Sequence, residues 1–265
     1  MERADNYIEF DGVCKSFLRD DGIEQRVLRD VTFFVPRGET VAILGRSGVG
    51  KSVMLKHIVG FLQPDSGRIR VAGRDVTELP EEEWAALRRK MALVFQSGAL
   101  FDSLTVAENV AFPLRERTLL DAQEPDEEKI AARAAELLST VDLDDHADSM
   151  PSDLSTGMRR AVAIARALAS DPDCILYDEP TTNVDPLMAQ TITALMERLK
   201  DRFHITSVAV THDVRLAERV ADRLVMLHEG QVAFFGSPEE WKSSDIDEVS
   251  RFRSLDALPG AAAAS

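Results

Sequence analysis

Apolar residues along the chain fall into two rhythms. Short runs in which they cluster or alternate occupy residues 7–13, 27–35, 40–44, 91–95, 174–177, 208–210 and 224–227, and these predict strands. Helical spacing fills 52–59, 80–89, 127–141, 155–169, 187–202 and 214–221. Strands alternating with helices predict a layered α/β fold built on a mainly parallel sheet. The stretch from about 102 to 150 has no strong strand signal and carries Glu-Pro-Asp-Glu-Glu at 124–128, so it reads as a helical lobe inserted between two core strands. With the helix that follows, this lobe spans about 102–170. Residues 237–265 are polar and close in Ala-Ala-Ala-Ala-Ser, which predicts one short helix and then a frayed end. The expected organisation is a core domain over 1–240 and a tail over 241–265.

Composition narrows the function. A chain of 265 residues with 45% hydrophobic side chains can bury one substantial core, or a core plus a smaller lobe. Its formal charge of −15 disfavours unspecific binding to nucleic acid or anionic lipid, so any anionic ligand must be gripped locally. The longest apolar runs, such as 162–165, fall well short of the roughly 18 residues a membrane-spanning helix needs. The opening residues lack the basic-then-apolar order of a secretory signal. Cys14 and Cys174 sit in apolar, strand-like segments, the usage expected in a reducing compartment, and the cytoplasm is the default. The histidines show no metal-ligand spacing with these cysteines, so zinc is not expected.

The strongest chemical signal is Gly45-Arg46-Ser47-Gly48-Val49-Gly50-Lys51-Ser52, which follows the apolar run 40–44 and opens a helical run from Val53. Strand, glycine loop and helix in that order form a phosphate cradle. Its glycines let backbone amides approach an anion, and the helix start adds partial positive charge. Lys51 reaches terminal phosphates, and the Ser52 hydroxyl suits Mg²⁺. A second apolar run, 174–177, ends in Asp178-Glu179. Adjacent carboxylates there can divide the labour, Asp178 holding the metal through water and Glu179 polarising the attacking water.

Leu154-Ser155-Thr156-Gly157-Met158, upstream of Asp178, resembles the Leu-Ser-Gly-Gly-Gln signature of the ATP-binding subunits of ABC transporters, and the resemblance covers about 7–237. Ser155 and Gly157 at a helix start can offer a hydroxyl, backbone amides and dipole to a phosphate. The resemblance implies a P-loop NTPase fold of the ABC ATPase type, with an antiparallel β subdomain beside the parallel core. It further implies ATP and Mg²⁺ as ligands and a head-to-tail homodimer in which Ser155, Thr156, Gly157 and Met158 of one copy close on the ATP of the other. Under the same resemblance Gln96 touches Mg²⁺ and the attacking water, His212 contacts the γ-phosphate, Asp185 faces the opposite copy and Phe17 stacks on adenine. This chain departs from the pattern at Thr156, where the family has Gly, and at Met158, where it has Gln. The first adds a β-branched side chain beside a phosphate-contacting turn; the second removes an amide. Every charged group for hydrolysis is nonetheless present, so an active ATPase is expected.

Without membrane spans such an ATPase acts on a separate chain. The apolar stretch after Gln96, with Leu100, Phe101, Leu104 and Phe112, lies where the family receives the coupling helix of an integral-membrane permease. The wording of residues 95–114, with Gly48-Val49-Gly50 and Met158, resembles the branch serving MCE-type (maintenance-of-lipid-asymmetry) phospholipid transporters. That branch implies a permease of the MlaE/YrbE type, a lipid-binding MCE protein, a small accessory subunit, and a peripheral position on the cytoplasmic side of a bacterial inner membrane. The alternatives are the same ATPase serving amino acids, ions or a drug, and a soluble ABC ATPase acting without a permease. The net charge and the absence of a long coiled-coil insertion count against nucleic acid as a partner.

Overall fold

A computed structural model describes residues 5–120 and 124–256. Two sheets organise it. A four-stranded antiparallel sheet runs in the order β2-β1-β4-β5, from β1 (Asn6–Leu18), β2 (Glu24–Pro36), β4 (Ser66–Val71) and β5 (Arg74–Asp75). A six-stranded sheet runs β10-β9-β3-β8-β7-β6, from β3 (Thr40–Leu44), β6 (Met91–Val94), β7 (Cys174–Asp178), β8 (Thr206–Thr211), β9 (Arg223–His228) and β10 (Gln231–Gly236). All its pairings are parallel except β9–β10.

The central strands β3, β7 and β8 are nearly continuous apolar runs because both faces of the parallel sheet are covered. Alternation then sends neighbouring side chains to opposite cores. Cys174 and Leu176 of β7 pack with the antiparallel sheet, α1 (Lys51–Ile58) and α2 (Glu81–Arg88), while Ile175 and Tyr177 face the helices. Those helices are α3 (Val106–Leu120), α4 (Glu127–Thr140), α5 (Thr156–Ala169) and α6 (Pro186–Phe203). α3, α4 and α5 pack on one another between β6 and β7 in chain order, so the stretch without strand signal is helical.

Three differences from the sequence reading have physical causes. β4 and β10 are strands the pattern did not predict: in β4 only Ile69 and Val71 are buried, with half-buried Arg70 between them, and in β10 the short apolar run 232–235 buries Phe234 while Val232, Ala233 and Phe235 stay half-buried. β6 stops at Val94, and Phe95 already lies exposed in the loop beyond it. The tail forms two helices, α8 (Pro238–Ser243) and α9 (Asp247–Asp256), so position 240 falls inside a helix. Ser237 caps α8 in a reciprocal capping box with Glu240, and Trp241, Val249 and Phe252 bury themselves against Phe234 and Met226. The predicted frayed end lies at 257–265, outside the described residues.

Candidate functional site: a phosphate loop facing paired carboxylates

The strand order β3-β8-β7 brings three carboxyl ends side by side, with Leu44 registered on Thr211 and Asp178 on Val210. The chain leaves β3 into the glycine loop, β7 into Glu179 and β8 into His212, so residues far apart in sequence converge at one edge, where open α/β sheets bind ligands.

The loop's glycines have separate reasons. A Cβ on Gly45 would sit 2.7 Å from Val49 Cγ1 and 2.9 Å from the Leu227 carbonyl, and one on Gly50 would sit 2.9 Å from Leu28 Cδ2. Gly48 instead faces open space at φ 77°, a conformation side chains rarely adopt. Val49 and Val53 pack on the core beneath, while Arg46, Ser47 and Ser52 are exposed. Lys51 is buried, and its ammonium donates to the carbonyls of Gly45 at 2.7 Å and Arg46 at 3.2 Å while pairing with Glu179 Oε1 at 3.2 Å.

Glu179 holds a left-handed φ of 49°, with its amide donating to the Val210 carbonyl at 2.9 Å. Its Oε2 accepts from His212 Nδ1 and from Thr182 Oγ1, both at 2.9 Å. Burial alone would raise its pKa, but the His212 hydrogen bond, the Lys51 charge and the Thr182 hydroxyl outweigh it and hold the carboxyl at about 2. The same bond to Glu179 raises the His212 imidazole, against a smaller opposing effect of burial. Burial, with the neighbouring Glu179 charge, pushes Asp178 up. The Asp178 carboxylate makes no hydrogen bond or ion pair among the described residues, which leaves its oxygens for a cation. That carboxylate and the exposed Ser52 hydroxyl are the hard oxygen donors Mg²⁺ prefers, so the residues present fit the ion.

The other candidates are placed as follows. Gln96 lies half-buried in the turn after β6. The next residues are pinned by Arg166 of α5, which donates to the carbonyls of Gly98 at 3.1 Å and Ala99 at 2.9 Å. Phe101 and Phe112 remain exposed with ring centroids 4.6 Å apart, whereas Leu100 packs on the lobe core. Buried Asn109 fastens this loop by donating to the carbonyls of Phe101 and Leu104, both at 3.1 Å, and accepting from the Phe101 amide at 2.8 Å. Phe17 is partly exposed on β1, 5.7 Å from the Lys15 ammonium. Asp185 caps α6 by accepting from the Met188 amide at 3.0 Å.

The turn 155–158 stands apart within one copy. Ser155 caps α5, accepting from the Met158 amide at 3.2 Å, and no hydrogen bond or ion pair among the described residues joins this turn to the phosphate loop, Glu179 or His212. Thr156 is exposed and accepts from Arg159 at 3.2 Å; Gly157 is buried where a Cβ would fall 1.9 Å from Met188 Sδ and 2.2 Å from its Cγ. We expect Gly157→Ala to cost at most about 1 kcal/mol, because only the flexible end of Met188 must give way and alanine's better helix propensity offsets part of the overpacking. Thermal melts of Gly157→Ala and of Gly157→Ala with Met188→Ala check this, since the double variant should recover much of the loss.

Sequence reasoning missed Thr182 and Arg160. Thr182 is a short polar residue in a loop and carries no signal. Arg160 does: it shares the buried stripe of Gly157, Ile164 and Leu168 along α5, a position the amphipathic rhythm reserves for apolar side chains.

The ABC transporter family model matches residues 28–182. The chain belongs to the ABC transporter family. It is 40% identical over 233 residues to the sulfate/thiosulfate import ATP-binding protein of Vibrio vulnificus, covering 88% of this chain and 64% of that protein. It is 39% identical over 222 residues to the spermidine/putrescine import ATP-binding protein of Thermotoga maritima, covering 84% and 57% respectively. The chain thus spans only about three-fifths of the length of these curated relatives. Among solved structures, the dimeric post-hydrolysis state of the ATP-binding cassette MJ0796 bound to ADP and Pi matches with a TM-score of 0.77 at 32% identity, covering 87% of this chain and 98% of that one. The cbiO1 subunit from Clostridium perfringens matches with a TM-score of 0.79 at 27% identity, covering 96% and 95%. The fold is thereby the ABC ATPase form of the P-loop NTPases. The relatives' names are those of sulfate and polyamine import proteins, so the expectation of a phospholipid cargo finds no support in them and the alternative of another cargo fits better.

Proposed function

We propose that this chain binds and hydrolyses ATP as the motor subunit of an ABC transporter, working as a homodimer on a separate integral-membrane permease. The observation that carries the reading is the convergence of Lys51, Glu179 and His212 at the ends of adjacent parallel strands. Lys51 neutralises the terminal phosphates. Glu179, ionised and held by His212 and Thr182, orients the attacking water and takes its proton. Mg²⁺, held by Ser52 and Asp178 with Gln96 nearby, would supply charge neutralisation between phosphates. His212 donates to Glu179 in the nucleotide-free chain and becomes available to the γ-phosphate when that bond is released.

Ser155, Thr156, Gly157 and Met158 serve the second copy's nucleotide, and Asp185 lies at the contact between copies. A matched cassette, MJ0796, is itself described as dimeric with ADP and Pi bound. No helix among the described residues is long and apolar enough to cross a membrane, which agrees with a peripheral ATPase that Phe101 and Phe112 couple to its permease. For the cargo, a small charged solute of the kind named in the relatives, imported from outside, is favoured over phospholipid. The lipid reading, with its MCE protein, MlaE/YrbE-type permease and accessory subunit, rests on motif wording alone.

Mixing tests the composite site. Lys51→Met and Ser155→Arg should each be inactive, and their mixture should recover part of the hydrolysis, because one of the two sites in a mixed dimer is then intact. Full activity of Ser155→Arg alone would remove the second copy from the mechanism. Reconstitution of the chain with its co-purified permease, assayed with sulfate, a polyamine and labelled phospholipid, decides the cargo.

A further inference from the structure

The guanidinium of Arg160, on the second turn of α5, is buried, and burial pushes its pKa down. Burying a cation is costly unless its donors are used. Arg160 uses them on two backbone carbonyls, those of Pro180 and Thr182, and its Nε has no partner. Neither acceptor carries charge, so the arrangement is poor as a stabilising device; a buried apolar side chain would fill the stripe at less cost. It is well suited to geometry, because a planar fork holds two acceptors at a fixed separation in a way an ammonium cannot.

What the fork holds is the segment just after Glu179. The Thr182 hydroxyl donates to Glu179 Oε2, and Thr181 Oγ1 donates to Asp213 Oδ2, beside His212. The Glu179 backbone sits at a positive φ, which persists only where surroundings over-determine it. On the other side Gly157 lets α5 approach Met188 of α6. The start of α5, which carries Ser155, is therefore fastened to both ends of the 180–188 segment.

We propose that Arg160 is a positioning residue that ties the Ser155–Met158 turn to the Glu179 carboxylate, so that displacement of the turn is passed through Thr182 to the Glu179–His212 pair. The tie rests on the proposed hydrolytic role of Glu179 for its meaning, but its existence can be read without hydrolysis.

The readout is the imidazole titration of His212 by NMR in the nucleotide-free full chain. Glu179, Lys51 and Asp213 are the ionisable groups acting on that ring. Arg160→Lys keeps charge and stem but cannot bridge both carbonyls, and Arg160→Gln removes the buried charge. We expect either variant to lower the His212 titration toward the ordinary histidine value, and to have no further effect on it once Glu179→Gln is also present. In parallel, kcat should fall roughly tenfold to a hundredfold with KM little changed. A folded Arg160 variant with an unmoved His212 titration overturns the proposal. So does a shift that persists undiminished in the Glu179→Gln background. Failure of both variants to fold would reduce Arg160 to core stability and overturn it equally. Intact His212 coupling in a chain that does not hydrolyse ATP would instead strike at the proposed function and leave the tie standing.

Discussion

Replacing Glu179 with Gln should lower steady-state hydrolysis by about a thousandfold while ATP affinity changes by no more than a fewfold, a loss within the range for removing a general base. The substitution keeps the volume and an oxygen that still accepts from His212 or Thr182, so the site's shape survives. It removes the negative charge that makes the carboxylate a base and that now faces Lys51 at 3.2 Å. The folded carboxyl sits at about 2 against an ordinary 4.5, so its stabilising contribution, at most roughly 3 kcal/mol, is complete above pH 4.5 and lost as the pH falls toward 2. His212 moves in the opposite sense. Its pKa is raised in the folded chain, so its contribution is complete below 6.5 and lost as pH rises through the folded value. Both halves of the pair are thus in place between about pH 4.5 and 6.5, and the Gln variant should flatten stability against pH on both flanks of that window. Phosphate release, nucleotide titration and melts across that range are the measurements. Unchanged turnover in the Gln variant would remove Glu179 from its role.

What could be read from the sequence follows from how far each signal reaches along the chain. The phosphate loop was legible because strand, glycines, Lys51 and helix are contiguous, and Asp178-Glu179 because two acids end an apolar run that only a covered parallel strand needs. His212 and Gln96 carry no local signal beyond a strand end; a family resemblance supplied their roles. The structure joins His212 to Glu179 but gives Gln96 no comparable partner among the described residues. β4 escaped notice because it offers only two buried residues, Ile69 and Val71, with Arg70 between them. The second tail helix escaped because its burial depends on Trp241 and Phe234, contacts made only after folding. Arg160 was missed, and its partners could not have been named from the sequence in any case, since its acceptors are backbone carbonyls, which have no residue code. The cargo was legible least. The motifs legible in the chain concern phosphate and metal rather than a solute, so motif wording pointed to lipid while the relatives' names point to sulfate and polyamines.

Lys51→Met should weaken ATP binding by about a hundredfold and leave hydrolysis at background. The ammonium would make two charge-assisted hydrogen bonds to phosphate oxygens, each worth about 1.5–3 kcal/mol, and a tenfold change in affinity corresponds to about 1.4 kcal/mol. Part of that gain is offset, because binding must exchange contacts the ammonium already makes with the Gly45 and Arg46 carbonyls and with Glu179. In the proposed cycle this exchange would also carry nucleotide binding to Glu179: with Lys51 turned to phosphate, the carboxylate would lose its cation and become a stronger base where water must be deprotonated. Methionine keeps the buried stem and packing, so the nucleotide-free chain should melt within a few degrees of the parent. The Glu179 carboxyl should nevertheless titrate higher without Lys51, which separates loss of the charge from loss of the fold. An affinity within twofold of the parent would mean that the loop amides alone grip the phosphates, and the exchange linking nucleotide to Glu179 would have to be abandoned.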